Sequence, residues 1–547
     1  MSGGGESSGG FTADYVVVGA GSAGCALAAR LSEDPSVRVL LLEAGGRDRN
    51  LWLHIPVGYG KTMFHPTLSW NLQTEPEPEL EGRRIPWPRG RVLGGSSAIN
   101  GLIYIRGQKE DYDHWRQLGC TGWSFDDVLP YFKRAEDQER GADALHGVGG
   151  PLGVSNLGDQ GPLARAFIEA AVELGLPRND DFNGPTQEGA GFYQVTARKG
   201  WRCSAATAYL KPARKRPNLR VETGAQATRL LFEGRRCVGV AFRQNGVLRE
   251  ARAAREVILC GGAIASPQLL LLSGVGPAEE LAALGIPVVQ DLPQVGRNLQ
   301  DHFQVRIVYR CRQRVTLNDR MASLRGRAGM ALEFALFRRG MMTISAGTAG
   351  LFARVLPGSA TPDVQYHFIP FSADGPGRSL HPFSGFTISV CQLRPESRGT
   401  ITLASPDPSV PARIRANYLS TETDRRCIVE GLKLTRRLAA TRAMAPFVEA
   451  EYLPGPEAEG EDALLAHARR AGTTIFHPSG TCRMGSDLAS VVDTELRVRG
   501  IAGLRVADAS IMPTVVSGNT NAACIMIGEK AADLIRAEAR MRPALAA

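Results

Sequence analysis

The sequence has no apolar run long enough to cross a membrane. A transmembrane helix needs roughly 20 consecutive, mostly apolar residues, and no segment of the 547-residue chain approaches that length. The amino terminus also lacks the basic and apolar regions of a signal peptide, and it is rich in glycine and serine. The sequence therefore predicts no integral membrane segment and a flexible leader over residues 1–12.

Paired cysteines are missing as well. None of the ten cysteines stands in a Cys-x-x-Cys pair, and most occur singly within apolar runs. Isolated cysteines in such runs are typical of free, buried thiols in a reducing compartment. We therefore expect a cytoplasmic protein without a metal site.

Charge is not concentrated anywhere along the chain. The formal net charge of +9 comes from scattered arginines, and the densest cluster, Arg214-Lys215-Arg216, is short. Scattered charge is usually a solvated surface, so we expect no nucleic-acid partner. The length exceeds what one core normally supports, and 43% hydrophobic residues are ordinary for a soluble globular protein, so two lobes are expected.

The amino-terminal part is typical of a dinucleotide-binding unit. An apolar run ends in the turn Gly19–Gly24, a small-residue helix follows, and a second apolar run stops at Glu43. The glycines let a pyrophosphate approach the amino end of the helix, and Glu43 stands where a carboxylate accepts hydrogen bonds from ribose hydroxyls. In a chain with 62 glycines, a bare G-x-G-x-x-G pattern arises about once by chance. The flanking strands and Glu43 therefore carry the prediction, and they do not separate FAD from NAD.

A second glycine-rich stretch, residues 90–104, follows a long Pro- and aromatic-rich excursion near residues 52–87. Its paired glycines and serines leave backbone N–H groups uncovered, which suits a turn against a phosphate or a ring system. A glycine-rich surface loop is the alternative interpretation. The residues alone do not decide between them.

Further along, residues 219–240 predict a hairpin, and residues 257–260 predict a buried strand that leads into a Gly-Gly turn and a helix over residues 268–272. This strand returns the chain to the parallel sheet. From about residue 303 alternating stretches such as residues 364–369 and 386–393 predict a mostly antiparallel sheet, and residues 423–440 predict a helix.

The carboxyl-terminal segment contains a Pro/Gly-rich turn that opens on His477. A strand-like run over residues 504–507 ends at Asp508, and a helix is predicted over residues 522–536 with Ser517, Asn519 and Asn521 as capping candidates. The amino end of that helix carries partial positive charge.

Together, these motifs resemble the glucose–methanol–choline (GMC) flavoprotein oxidoreductases. Residues 90–104 contain Gly-Arg-x-Leu-Gly-Gly-Ser-Ser-x-Ile-Asn, which is similar to the first signature of the family, and residues 262–276 are similar to the second. Residues 477–485 and the run from Asp508 to Asn519 complete the set, which spans residues 13–536 in the family's order.

The resemblance implies an α/β fold with a doubly wound, Rossmann-like FAD-binding domain built from discontinuous segments, and a substrate domain with a mainly antiparallel sheet and flanking helices. We expect the FAD domain over residues 13–302, with substrate-side excursions near 52–87 and 155–200. We expect the substrate domain over residues 303–470, and a return to the FAD domain over residues 471–547.

The resemblance also implies cofactor contacts. In family members that bind FAD covalently through a histidine of the first signature, that histidine aligns with Ile99, so the expected cofactor is non-covalent FAD. The implied contacts are Gly19, Ala20, Gly21, Ser22, Ala23, Gly24, Glu43, Val92, Ser96, Asn100, Gly101, Ala227, Asp508, Ala509 and Thr520.

The implied reaction is oxidation of an alcohol by hydride transfer to flavin N5. An alcohol donates hydride poorly until its hydroxyl proton leaves, and imidazole is a suitable base near neutral pH. Among the nine histidines, His477 occupies the family's catalytic position, and Asn519 occupies the partner position, from which an amide can hold the substrate oxygen. Phe476 is expected to line the pocket or to be a core aromatic.

Three classes of function remain to be compared. The first is an oxidoreductase on a primary alcohol, with oxygen or a quinone as electron acceptor and, for a quinone, a location peripheral to the membrane. The second is an FAD-dependent lyase or photodecarboxylase on the same fold. The third is a non-catalytic dinucleotide-binding protein, against which the His477/Asn519 pair argues. The family motifs leave the particular alcohol open, choline included.

Overall fold

The computed structural model describes the backbone of residues 10–546 and the side chains of residues 10–541. The first nine residues of the predicted leader lie outside this range. None of the helices in the described part of the chain combines the length and the apolar character that crossing a bilayer requires.

Two seven-stranded sheets form the framework of the molecule. Their strands are, in chain order, β1 (Phe11–Val18), β2 (Val39–Glu43), β3 (Gly189–Phe192), β4 (Leu219–Thr223), β5 (Ala225–Glu233), β6 (Arg236–Gln244), β7 (Val247–Leu259), β8 (Phe303–Cys311), β9 (Ala349–Ala353), β10 (Val364–Ile369), β11 (Gly385–Gln392), β12 (Val448–Leu453), β13 (Thr473–Thr474) and β14 (Leu504–Val506).

The helices cover both sheets. They are α1 (Ser22–Leu31), α2 (Tyr59–Thr62), α3 (Lys109–Gln117), α4 (Phe125–Ala135), α5 (Pro162–Glu173), α6 (Lys211–Ala213), α7 (Gly262–Leu272), α8 (Ala278–Ala283), α9 (Leu317–Met321), α10 (Leu324–Phe337), α11 (Glu422–Ala439), α12 (Gly460–Ala471) and α13 (Asn521–Ala546).

The first sheet has the order β4-β2-β1-β7-β6-β5, and β14 pairs with the carboxyl-terminal part of β7. β4, β2, β1, the end of β7 and β14 run parallel, whereas β5, β6 and β7 form antiparallel hairpins. The central strands are continuous Val/Ile/Leu runs, as expected for strands that helices cover on both faces. Their carboxyl ends meet at one edge of the sheet, where α/β proteins bind ligands.

The second sheet is antiparallel throughout, in the order β12-β8-β11-β10-β9-β3, with β13 beside β8. Along β8 the side chains alternate between two faces. Phe303, Val305 and Ile307 join the core against the helices, whereas Gln304 and Arg306 point the other way, into a cavity. Both faces are therefore covered, and the polar face is the one that adjoins the first sheet's ligand edge.

The predicted fold class is confirmed by this arrangement. The hairpin predicted over residues 219–240 is present as β5 and β6, and the helix predicted over residues 423–440 is α11. The surface-loop interpretation of residues 90–104 is wrong. A Cβ on Gly95 would lie 2.7 Å from the Cα of Gly21, so this turn packs directly against the first glycine turn.

Two helices are longer than predicted. α13 begins at Asn521 and runs to Ala546. α7 begins at Gly262, within the stretch that the sequence predicts as a turn, and it contains Pro267. A proline inside a helix leaves the carbonyl four residues earlier without its partner, and here the hydroxyl of Thr481 donates to that carbonyl of Ala263 at 2.7 Å.

Candidate active site

A cavity of about 770 Å³ lies between the ligand edge of the first sheet and the polar face of the second. This volume is within the range of small-molecule and cofactor sites. Its walls come from separated parts of the sequence: the first glycine turn, residues 95–103, residues 225–227, the start of α7, the polar face of the second sheet, residues 475–478, and residues 508–521.

Three helices point their amino ends at this cavity. Ser22 begins α1, Gly262 begins α7 and Asn521 begins α13, and all three residues line the cavity. Uncovered N–H groups and partial positive charge at helix amino ends stabilise anions. The hydroxyl of Ser22 donates to the side-chain oxygen of Asn521 at 2.7 Å, which holds two of these ends together. The N–H groups at these helix ends suit a dinucleotide cofactor, because its pyrophosphate is anionic and its ring system carries negative charge when reduced.

Glu43 ends β2 at the same edge. One carboxylate oxygen accepts a hydrogen bond from the N–H of Ala20 at 3.0 Å, and the other accepts one from the N–H of Gly45 at 2.8 Å. Burial raises the pKa of Glu43 to about 7, against the effect of these two N–H groups. The carboxyl group therefore orders the glycine turn while it lines the cavity.

The first glycine turn has no room for side chains. A Cβ on Gly24 would lie 1.9 Å from the carbonyl oxygen of Gly19, and Gly19 itself has a φ of +106°. α1 can start this close to β1 only because both positions are glycine. The resulting cradle, with its helix amino end exposed, suits the close approach of a pyrophosphate.

Asp508 follows β14 and connects the carboxyl-terminal segment to α7. Its carboxylate accepts hydrogen bonds from the N–H groups of Gly262 and Ser510, both at 2.8 Å, and from the hydroxyl of Ser266 at 2.5 Å. The group lines the cavity, but these bonds engage both of its oxygens in holding the start of α7.

His477 and Asn519 meet at the boundary between the two sheets. The amide nitrogen of Asn519 lies 3.2 Å from Nε2 of His477, and the Asn519 oxygen accepts a hydrogen bond from Gln365 at 3.1 Å. Since the Asn519 oxygen is the acceptor for Gln365, its NH₂ group faces the imidazole. Both side chains line the cavity.

A second histidine fixes the tautomer of His477. Nε2 of His302 lies 3.0 Å from the carbonyl oxygen of Leu393, and Nδ1 of His302 lies 3.0 Å from Nδ1 of His477. A carbonyl can only accept, so Nε2 of His302 carries the proton and its Nδ1 is an acceptor. Nδ1 of His477 must then donate, which leaves its Nε2 unprotonated, with a lone pair that accepts a hydrogen bond from the NH₂ group of Asn519.

Both imidazoles are held neutral. Burial lowers the pKa of His302 to about 4. Burial also lowers the pKa of His477 well below its ordinary value, and the nearby His302, His367 and Arg89 add to this effect. A neutral imidazole with an unprotonated Nε2 is in the form that accepts a proton from a substrate hydroxyl.

The backbone at His477 is held by a buried carboxylate and a half-buried arginine. Asp301 accepts a hydrogen bond from the N–H of His477 at 2.7 Å, and it also accepts from Tyr418 and Thr474. Arg89 donates to the carbonyl of Phe476 at 2.9 Å. Phe476 has a φ of +71°, a region that a bulky residue enters only when its surroundings impose it. Burial raises the pKa of Asp301 to about 6.

Most residues that the sequence assigned to the site line this cavity. They are Gly19, Gly21, Ser22, Ala23, Glu43, Ser96, Asn100, Gly101, Ala227, Phe476, His477, Asp508, Ala509, Asn519 and Thr520. The remaining three lie behind its wall in the described structure. Ala20 donates to Glu43, Gly24 packs on Gly19, and Val92 is buried in a small apolar cluster with Leu53 and Ile99. Ile99 also lines the cavity.

Sequence reasoning missed Asp301, His302, Arg89 and Arg306. Asp301 and His302 stand directly before β8, and one signal was available. The run from His302 to Arg306 alternates polar and apolar residues, which is typical of a strand with one polar face. Nothing in the sequence indicates that this polar face is buried beside residue 477.

Comparison with known proteins gives consistent matches over the chain. A sequence model described as GMC oxidoreductase matches residues 13–304, and a second with the same description matches residues 395–528. An alcohol dehydrogenase [acceptor] from Pseudomonas putida is 44% identical over 95% of both chains. The mitochondrial choline dehydrogenase of Homo sapiens is 45% identical over 96% of this chain and 90% of its own.

A crystal structure of pyridoxine 4-oxidase from Mesorbium loti has the same fold. It superposes with a TM-score of 0.86 at 33% identity, covering 95% of this chain and 98% of its own. The resemblance inferred from the motifs is thereby confirmed.

Proposed function

The chain belongs to the GMC oxidoreductase family, whose members bind FAD and act on CH–OH donors, and on this premise we propose that it oxidises a primary alcohol to an aldehyde with His477 as the base. The observation that carries the proposal is the unprotonated Nε2 of His477, which faces the NH₂ group of Asn519. When bound, FAD supplies the acceptor for the hydride at its N5 atom.

The cofactor contacts of the proposal are the residues assigned from the sequence. Glu43 and the first glycine turn would hold the adenosine and pyrophosphate half, together with residues 96–101 and Ala227. The amino end of α13 would face the anionic side of the reduced ring. Ile99 lines the cavity where covalently flavinylated relatives have histidine, which supports a non-covalent flavin.

His477 would take the hydroxyl proton on Nε2 as the carbinol carbon releases its hydride. Its Nδ1–H already donates to His302, so the ring cannot turn or change tautomer without breaking that bond. Asn519 would donate from its NH₂ group to the substrate oxygen and stabilise the developing alkoxide without competing for the proton. The low pKa of His477 keeps this base unprotonated before substrate binds.

We also propose that oxygen or a quinone accepts the electrons. We keep the domain division at residues 13–302, 303–470 and 471–547. The dehydrogenase names of the two relatives support the alcohol substrate, and nothing in them points to a lyase.

Anaerobic flavin reduction tests the proposal. Primary alcohols should bleach the visible absorbance of the FAD-loaded protein. His477→Ala should keep its flavin, because its role is in proton transfer, and should bleach at least about 100-fold more slowly, the lower end of what a general base contributes. Equal bleaching rates in the two proteins would refute the role of His477.

A further inference from the structure

In the described structure, the substrate side of the cavity contains a half-buried arginine whose side chain has no partner. Arg306 lies on the polar face of β8, and its side chain lines the cavity. Its Nε is inaccessible and has no hydrogen-bond partner. In the described part of the chain, no residue forms a side-chain hydrogen bond or an ion pair with its guanidinium.

The guanidinium is nevertheless charged. Burial lowers the pKa of Arg306 to about 10, which still leaves it protonated at neutral pH. Tyr59 and His367 are the titratable groups that interact with it, and His367 is neutral because burial lowers its pKa to about 3. A half-buried cation whose Nε is inaccessible and unpaired loses part of its hydration, and this is costly without a counter-ion, so the site favours a ligand of opposite charge.

The rest of the cavity lacks a free carboxylate. Within the described structure two carboxylates line it, Glu43 and Asp508, and backbone N–H groups bind both. Three exposed cations, Lys61, Arg327 and Arg378, also line the cavity. The positive electrostatic potential of these cations attracts anions and repels a quaternary ammonium.

The cavity also has apolar lining residues that suit the body of a hydrocarbon substrate. They include Val57, Met63, Met341, Ile369, Phe371 and Leu380.

We propose that Arg306 binds an oxyanion at the far end of the alcohol, so that the preferred substrates are apolar primary alcohols that carry a carboxylate or a similar group. Alcohols with a quaternary ammonium, such as choline, are poor substrates. This inference rests on the proposed function, because it assigns the ligand of the same cavity. It separates the chain from choline-oxidising proteins that share its family.

The strand sets the scale of the substrate. Arg306 is four residues beyond His302, which touches His477, and four residues of extended strand span about 13 Å. Both side chains project from the same face, so a substrate bound between His477 and the guanidinium lies along this stretch of the strand. A chain of several methylene groups fits along this stretch.

Matched substrate pairs test the assignment. The FAD-loaded protein is reduced anaerobically with ω-hydroxycarboxylates and with 1-alkanols of the same carbon number, from four to ten carbons, and with choline. At the best chain length the hydroxy acid should exceed its alkanol at least about tenfold in kcat/KM, because charge-assisted hydrogen bonds are the strong ones. Choline should be the poorest substrate.

Variants of Arg306 test whether this residue causes the preference for hydroxy acids. Arg306→Gln should lower the acid-to-alkanol ratio of kcat/KM by about 10- to 100-fold, mostly through KM, and Arg306→Lys should restore part of it. Arg310→Gln removes the same charge four residues along β8, where Arg310 stacks on Phe383, and should leave the ratio within about threefold, because a charge outside the cavity is screened.

Binding of a non-oxidisable acid gives a readout that needs neither turnover nor a folded variant. Hexanoate should perturb the visible flavin spectrum of the wild-type protein at lower concentration than 2-hexanone does. The assignment is wrong if alkanols or choline equal the hydroxy acids, if hexanoate binds no better than the ketone, or if a folded Arg306→Gln keeps the wild-type ratio. If no alcohol of any charge bleaches the flavin, the proposed function itself fails, whatever hexanoate does.

Discussion

Nδ1 of His302 and Nδ1 of His477 lie 3.0 Å apart, and only His477 can be the donor between them. The carbonyl of Leu393 imposes this direction because it accepts the remaining proton of His302. The base is therefore oriented by a neutral partner. A carboxylate in that place would raise the pKa of His477, whereas His302 keeps it low.

The first prediction concerns this hydrogen bond between the two imidazoles. His302→Phe should lower kcat about 100-fold with little change in KM, because Nδ1–H of His477 loses its acceptor and the reactive tautomer is no longer selected. The measurement is the rate of anaerobic flavin reduction against pH. The half-buried His65, which does not line the cavity, provides the control His65→Phe, which should retain wild-type rates. A His302→Phe variant with an unchanged rate would show that the tautomer is set elsewhere.

The second prediction concerns the flavin cradle. Gly24→Ala should lower the flavin content of the purified protein severely, because the new methyl group would lie 1.9 Å from the carbonyl oxygen of Gly19. Gly46→Ala is the matched control, since a Cβ there meets nothing within 4 Å. The ratio of flavin to protein absorbance checks both. Equal flavin content in the two variants would contradict the proposed pyrophosphate site.

The third prediction is a pH dependence of stability. The pKa of His367 is lowered to about 3 by burial, so the unfolded chain binds a proton below pH 6.5 that the folded protein does not. Stability due to this group is complete above pH 6.5 and falls as the pH decreases towards 3. His367→Leu should therefore gain about 2 kcal/mol over wild type between pH 7.5 and pH 5. Urea unfolding at matched flavin saturation measures the difference, and a gap that does not widen at low pH would contradict a neutral His367.

The fourth prediction concerns α7. Thr481→Val should destabilise the protein by about 1–3 kcal/mol, because the carbonyl of Ala263 that Pro267 leaves free would lose its donor at 2.7 Å. Thr12→Val, at an exposed position of β1, should change the stability little. Thermal unfolding of both variants is the comparison, and equal melting temperatures would mean that water replaces the hydroxyl.

Local patterns predicted the elements that are themselves local. The strand, glycine turn, helix and acidic residue from β1 to Glu43 could be predicted because each needs only its neighbours in sequence. α7 was predicted too short because Pro267 indicates a turn, and the hydroxyl that compensates for it comes from 218 residues away in sequence.

The same limit applies to the site. His477 could be assigned from its motif, but the role of His302 depends on the pairing of Phe303 with Thr474 across β8 and β13. That register sets His302 beside residue 477. Periodicity reveals that β8 has a polar face, but it does not reveal which partner that face meets, because register between distant strands is a tertiary property.

The pairing of β14 with β7 has a consequence for biosynthesis. Chains emerge from the ribosome amino end first at about 5–20 residues per second, so Leu504–Val506 and α13 appear well after β7. Until then the nascent nucleotide sheet has an unpaired edge at β7, and one of the three helix amino ends is absent. A ribosome that stalls before residue 504 therefore releases a product that lacks Asp508 and the amino end of α13, two parts of the cavity wall.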